Sequence, residues 1–164
     1  MNNPFQYCPA CGEKRFGRRN DISWQCGACD FLLYRNPAAA VAAIIEHQGD
    51  ILFVIRAKDP QAGKLDLPGG FVDNHETAEQ ALQRELAEEL GLRNIPAARY
   101  LASFPNTYPY AGVDYQTLDL IYLIKLAERP VLQADDVRGV DVVLVGPGGS
   151  LDLHQHDTSL SPTP

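Results

Sequence analysis

What this 164-residue sequence lacks narrows its class before any motif is read. No apolar run approaches the ~20 residues that a membrane helix needs. The opening residues, MNNPFQYC, contain neither a basic start nor an apolar stretch. A membrane span and a secretory leader are therefore not expected, and the chain reads as a cytoplasmic protein. Positive charge is also short: 14 Lys and Arg stand against 21 Asp and Glu, a formal net of −7. Such a surface as a whole repels nucleic acid and anionic membrane. An anionic substrate would need local neutralisation, for which bound cations are the natural agents. Cysteine is absent after residue 29, and a core of this size can stand without disulfides. The length suits one globular domain plus a small module.

The four cysteines that are present form two CxxC knuckles, Cys8-Pro9-Ala10-Cys11 and Cys26-Gly27-Ala28-Cys29, separated by fourteen residues. Each knuckle offers two thiolates from one tight turn, and together they make a tetrahedral zinc set. Disulfides are disfavoured without a secretion signal. Four protein thiolates leave no open coordination position, so the zinc is expected to be structural. Residues 1–35 are read as a zinc ribbon, 36–146 as the main domain and 147–164 as a disordered tail. The ribbon holds a basic cluster, Lys14, Arg15, Arg18 and Arg19, so nucleic-acid contact through it stays open.

Downstream, Ala38 to Glu46 and Ile51 to Arg56 read as strands joined by a His47-Gln48-Gly49-Asp50 turn. Leu65 to Val72 is a short extended piece bent at Pro68-Gly69-Gly70. Thr77 to Leu90 has helical punctuation. Thr77 and Gln80 have capping-box spacing, Gly91 sits at the C-terminal stop, and Ala78, Leu82, Leu86 and Leu90 recur at i+4. A strand from Arg99 to Phe104, a loop from Pro105 to Gly112 and a long strand from Asp114 to Leu126 are expected next. A last strand is expected from Val140 to Val145.

Glu85, Glu88 and Glu89 are spaced i, i+3 and i+4, so their carboxylates share one helical face and repel one another. Hard divalent cations would relieve that repulsion. Taken alone, the three glutamates read sooner as an ordinary solvated acidic face. The full string decides between these readings. Gly70, five residues, Glu76, seven residues and then Arg84-Glu85-Leu86-Ala87-Glu88-Glu89-Leu90-Gly91-Leu92 matches G-x5-E-x7-R-E-L-x-E-E-x-G-L at every defined position. On this string the chain is identified as a member of the Nudix hydrolases.

That resemblance implies an α/β fold, an α/β/α sandwich with a mixed sheet, here preceded by the ribbon. It implies Mg²⁺ or Mn²⁺ held by Glu85, Glu88 and Glu89, with the Gly69 carbonyl as a further ligand. Arg84 would orient Glu85, and Glu76 would brace the helix. Relatives recruit another acid from outside the box, for which Asp136 is the candidate; two solvated loop acids are the alternative. Nudix relatives are often homodimers, so a homodimer is the expected assembly.

A four-cysteine ribbon directly before such a domain resembles the NADH pyrophosphatase group. That group carries a downstream S-Q-P-W-P-F-P segment. Here Ser103, Pro105, Tyr108 and Pro109 match it, whereas Phe104, Asn106 and Thr107 do not. Phe104, Tyr108, Tyr110 and Tyr115 would either stack on a nucleobase or pack the domain edge. Arg56, Lys58 and Lys64 would reach phosphates or stay solvated. The relatives' final amphipathic helix has no counterpart in residues 139–164, where Gly146-Pro147-Gly148-Gly149 rules out a helix. The expected function is metal-dependent hydrolysis of a nucleoside diphosphate linked to another group, such as NADH, NAD, ADP-ribose or FAD. Hydrolysis of nucleoside triphosphates or capped RNA is the alternative enzyme. A nucleotide- or nucleic-acid-binding regulatory module without turnover is the alternative outside enzymes, although such a module would be expected to lose metal glutamates that are intact here.

Overall fold

The computed structural model describes residues 5–56, 62–110, 112–130, 141–145 and 151–153. The chain divides after Pro37 into two units, Met1–Pro37 and Ala38–Pro164.

The first unit is a three-stranded antiparallel sheet in the order β1 (Phe16–Arg18), β2 (Ser23–Cys26), β3 (Leu32–Tyr34). Asn20 makes the first turn: its Oδ1 accepts from Ile22 N at 3.0 Å and Ser23 Oγ at 2.7 Å, the side-chain turn for which Asn is favoured. Alternation along the strands sends Phe16, Trp24 and Cys26 inward, where they meet Cys8. Phe5 packs edge-on against Trp24 at 5.1 Å and Phe16 at 6.1 Å.

The second unit is built on a mixed sheet. β4 (Ala38–His47) and β5 (Asp50–Ile55) form a hairpin whose turn residues Gln48 and Gly49 both have positive φ, 51° and 92°. That is the turn handedness that matches strand twist. β6 (Leu65–Asp66) pairs with β5, and β7 (Gly69–Phe71) pairs with β4. After the helix α1 (Ala78–Leu90) come β8 (Arg99–Tyr110), β9 (Val113–Lys125), β10 (Asp141–Val145) and β11 (Leu151–Leu153). The sheet order is β11-β10-β5-β4-β9-β8, with β4 and β9 parallel. This is the α/β class; α1 is the one helix among the described residues. No described helix is long and apolar enough to cross a membrane.

α1 ends where its sequence says it should. Thr77 Oγ1 accepts from Gln80 N, Gln80 Oε1 accepts from Thr77 N, and Gly91 is left-handed at φ 69°. Ala81, Leu82, Leu86 and Leu90 are buried against Val41, Ala43 and Ile45 of β4, Leu52 and Val54 of β5, and Tyr122 and Ile124 of β9. Burying one such leucine is worth roughly 1.5–3 kcal/mol. β4 is an interior strand, hydrogen-bonded to β5 on one edge and β9 on the other.

Two expectations are corrected. Residues 105–112 are not a loop up to Tyr110, because β8 runs through Pro105 and Pro109 to Tyr110 and pairs with β9 throughout. β8 is the outermost strand beside β9, and a proline's missing N–H costs no ladder bond when it faces outward from an edge. A bulge between Tyr100 and Ala102 marks the same edge. Second, part of the expected disordered tail is ordered: Leu151–Leu153 pairs antiparallel with β10, Leu153 opposite Val143. Backbone bonding to β10 outweighs the turn residues that precede it.

Candidate functional site

The site is assembled where β7 passes beneath α1. The Pro68-Gly69-Gly70 bend packs so closely that a side chain on Gly69 would collide with the β4 backbone, while one on Gly70 would displace the Glu85 carboxylate. A Cβ on Gly70 would lie 2.3 Å from Glu85 Oε1, and one on Gly69 would lie 2.0 Å from the Val41 carbonyl oxygen. Gly69 also has φ +153°, which L side chains rarely adopt. The reward is a backbone N–H delivered to an acid: Gly69 N donates to Glu89 Oε2 at 3.0 Å. Gly69 thus meets the box acids through its N–H.

Glu85 and Glu89 are half-buried, whereas Glu88 is exposed. Burial pushes the Glu89 carboxyl up to about 7 despite the Gly69 N–H, and the negative charges of Glu85, Asp66 and Glu88 add to the rise. Uncompensated negative charge of this kind is what a hard cation relieves. An oxygen-only donor set, with one member raised chiefly by burial, suits a hard divalent cation. The three carboxylates share a face without converging on one point. Among the described residues, only the four cysteines bring at least three ligand atoms within 4.8 Å of one another.

Arg84 explains how the acids are held. Its Nη1 donates to Glu85 Oε1 at 2.7 Å, and its Nη2 donates to Glu76 Oε1 at 2.7 Å and to the Phe71 carbonyl at 2.9 Å. Nε reaches Glu76 Oε2 at 3.3 Å, giving a forked pair, and Nη1 lies 3.7 Å from Glu88 Oε2. The planar fork is what lets one cation serve several acceptors at fixed angles. Glu76 also accepts from Asp73 N, and these contacts, Arg84 first, hold its carboxyl below the usual range. Arg84 therefore ties the loop before α1 to the helix and fixes the angle of Glu85.

Phe71 links this cluster to a cavity. Its carbonyl serves Arg84 while its ring, 43% exposed, lines an apolar pocket of about 270 Å³ with Ala38, Val72, Tyr108 and Tyr115. Phe71 and Tyr108 meet edge to face at 6.0 Å. Tyr108 and Tyr115 stand directly opposite across β8–β9. Arg56, a candidate for phosphates, pairs with Asp66 at 2.6 Å and donates to the Tyr108 hydroxyl at 3.5 Å, beside the pocket wall. Phe104 is 57% exposed and does not line this cavity. The Tyr110 ring, Lys58 and Asp136 lie outside the described residues. Sequence reasoning missed Phe71 and Ala38. Phe71 directly follows the Gly-Gly bend, the one signal that could have flagged it.

In the first unit, the four thiols converge: Cys8 Sγ lies 3.8 Å from Cys29 Sγ, and Cys11 Sγ lies 3.7 Å from Cys26 Sγ. A tetrahedron with metal–sulfur bonds of about 2.3 Å has edges of about 3.8 Å. The N–H groups of Ala28 and Cys29 lower the Cys26 thiol to about 7, while the neighbouring thiols push Cys11 and Cys29 up, a crowding that a shared metal would relieve.

Residues 35–151 match the NUDIX domain family model. The chain is 35% identical over 111 residues to an ADP-ribose pyrophosphatase of Methanocaldococcus jannaschii, covering 66% of this chain and 62% of that one. It is 30% identical over 109 residues to the NAD-capped RNA hydrolase NudC of Vibrio vulnificus, covering 66% of this chain and 41% of the relative. The chain thus spans less than two thirds of the length of these relatives. Among solved structures, a NUDIX hydrolase from Nitrosomonas europaea superposes with a TM-score of 0.60 at 25% identity, covering 87% of this chain and 78% of that one.

Proposed function

The chain belongs to the Nudix family, and from that premise we propose that it hydrolyses the diphosphate of a nucleoside diphosphate linked to a second group, of the NADH, NAD, ADP-ribose or FAD kind. One observation carries the reading. Phe71 joins the two halves of such a reaction, holding Arg84 of the acid cluster by its carbonyl and walling an aromatic pocket with its ring. A flat-walled apolar space of about 270 Å³ suits a planar base, which stacks on aromatic faces without needing a particular sequence of polar contacts. Phosphates of a base held there would extend toward α1.

Glu85, Glu88 and Glu89 are the residues that would hold Mg²⁺ or Mn²⁺. When bound, such an ion neutralises the diphosphate and acts as a Lewis acid on it. Arg84 keeps Glu85 at a fixed angle, Glu76 keeps Arg84 in place, and Gly69 and Gly70 let the carboxylates sit against the strand. The reaction adds water across P–O–P. A new P–O bond forms, an anhydride P–O bond breaks, a box carboxylate takes the proton, and two monophosphates leave. The four cysteines are read as a structural zinc site.

The test is chromatographic turnover with Mg²⁺ and with Mn²⁺ over NADH, NAD, ADP-ribose, FAD and nucleoside triphosphates, with Glu89→Gln as control. Cleavage of one linked diphosphate into two monophosphates, reduced more than about a hundredfold by Glu89→Gln, is expected. Pyrophosphate release from triphosphates alone would overturn the substrate class. Undiminished turnover by Glu89→Gln would overturn the site.

A further inference from the structure

The outer face of the ribbon sheet is electrostatically at odds with the rest of the chain. Residues 1–37 hold five cations, Lys14, Arg15, Arg18, Arg19 and Arg35, against the three acids Glu13, Asp21 and Asp30. That is a net of +2 in a chain of −7, leaving −9 on the remaining residues.

The strand pleat sorts these groups by side. Phe16 faces Cys26 across β1–β2, and both are buried; Gly17 faces Gln25, which is exposed. Alternation puts Arg15 and Arg19, one residue beyond either end of β1, on the same side as Gly17. Gln25 in turn faces Leu32 of β3. Two residues on, Tyr34 shares that side and is 51% exposed. Arg18 is paired with Asp21 at 2.6 Å and Lys14 lies over the Tyr7 ring at 5.7 Å. Arg15 and Arg19 meet no carboxylate among the described residues and are exposed. They border an open groove of about 530 Å³ whose walls also hold Lys14, Gly17, Arg18, Gln25, Gly27 and one acid, Asp30. A Cβ on Gly17 would meet nothing within 4 Å, so a ligand backbone can come close to the sheet there.

We propose that this face of the ribbon binds single-stranded nucleic acid. Arg15 and Arg19, about 13 Å apart along an extended strand, take phosphates. The Gln25 amide between them presents a donor and an acceptor to base edges, and the Tyr34 ring receives an unstacked base. The exposed aromatic favours a single strand over a duplex, whose bases are already stacked and turned inward. With −9 on the rest of the chain, a polyanion is drawn to this face and repelled elsewhere. The proposal stands on the ribbon alone and needs no turnover.

Fluorescence anisotropy of labelled rU12 with the zinc-loaded full chain carrying Glu89→Gln, without added Mg²⁺ or Mn²⁺, tests it. Binding at about 50 mM salt that weakens steeply by about 200 mM is expected. Arg15→Ala/Arg19→Ala should weaken binding at least tenfold and flatten the log–log salt slope by about 1.4, the single-strand value for two lost phosphate contacts. Tyr34→Ala should weaken it about fivefold or more, and Arg15→Lys/Arg19→Lys should keep most of it. Emission of Trp24, the chain's one tryptophan and a member of the ribbon core, reports that each variant is folded. No binding of rU12 at low salt, or binding indifferent to Arg15→Ala/Arg19→Ala with Trp24 emission unchanged, would overturn the proposal. So would capture by phosphatidylserine vesicles in place of rU12.

Discussion

The ribbon and the α/β unit reach stability by different means. Among its described residues, the α/β unit has an eleven-residue buried cluster in which a helix stripe meets three strands. The ribbon has four buried residues in its cluster, and two of them are cysteines. A chain segment of under forty residues cannot bury enough apolar surface to offset its ordering entropy, and metal–thiolate bonds are a usual substitute. The charges divide as well, +2 against −9. In one unit a metal would replace a core, whereas in the other acids are set against a core already sufficient without metal. A metal-ligand motif therefore implies folding where little else is buried, and chemistry where the fold is complete without it.

The largest expected effect separates the units outright. Stripping metal with a thiol-competent chelator should unfold the ribbon, since structural zinc supplies on the order of 10–16 kcal/mol to modules of this kind. Trp24 emission should shift to that of exposed indole while far-UV signal from α1 survives. A Trp24 signal indifferent to chelation would break the comparison. Next, Gly70→Ala pushes a methyl into Glu85 Oε1. It should lower turnover by about 10- to 100-fold, as loss of ligand orientation does, with zinc content and Trp24 emission unchanged. Wild-type turnover would show that the close approach has no catalytic meaning.

Leu86→Ala removes a fully buried side chain facing β4 and should cost the α/β unit about 2–5 kcal/mol in denaturant unfolding, without moving the ribbon transition. Coincident shifts in both transitions would mean the units are not energetically separate. The smallest effect is expected at the surface. Lys125 Nζ lies 2.9 Å from Glu46 Oε2, and that contact holds the Glu46 carboxyl below its usual range. A lowered pKa stabilises above the unfolded-state value and is lost as pH falls through the folded-state value. Lys125→Ala should therefore leave Tm unresolved from wild type once the pH has fallen below the lowered Glu46 value, under the usual carboxylate range. At pH 7 any change should be barely measurable, because exposed pairs contribute little. A clear loss at pH 7 would show that this sheet end depends on charge as the ribbon depends on metal.

Much of the fold is legible in the sequence because its signals are local. The capping box at Thr77 and Gln80, the Gly91 stop and the four-residue leucine period mark α1 to within a residue, since each is settled inside one or two helical turns. The Gly49 turn and the cysteine knuckles are local in the same sense. β8 is not legible past Phe104 because Pro105 and Pro109 are strand breakers unless the strand lies at an edge, and edge position belongs to the sheet. Leu151–Leu153 is hidden in the sequence because three residues become a strand only when a partner such as β10 is in place.

By itself, the sequence determined the box acids and cysteines, the helix that carries the acids and the charge of each segment, because these are fixed by residue identity and short spacing. Tertiary structure decided the rest: that Gly69 hands its N–H to Glu89, that Arg84 spans Glu76, Glu85 and the Phe71 carbonyl, and that Phe71 meets Tyr108 in a pocket. Apart from the neighbours Arg84 and Glu85, those contacts join residues 8 to 37 positions apart. Loop closure over such distances is compensated only by the burial of the whole core, which no local pattern contains.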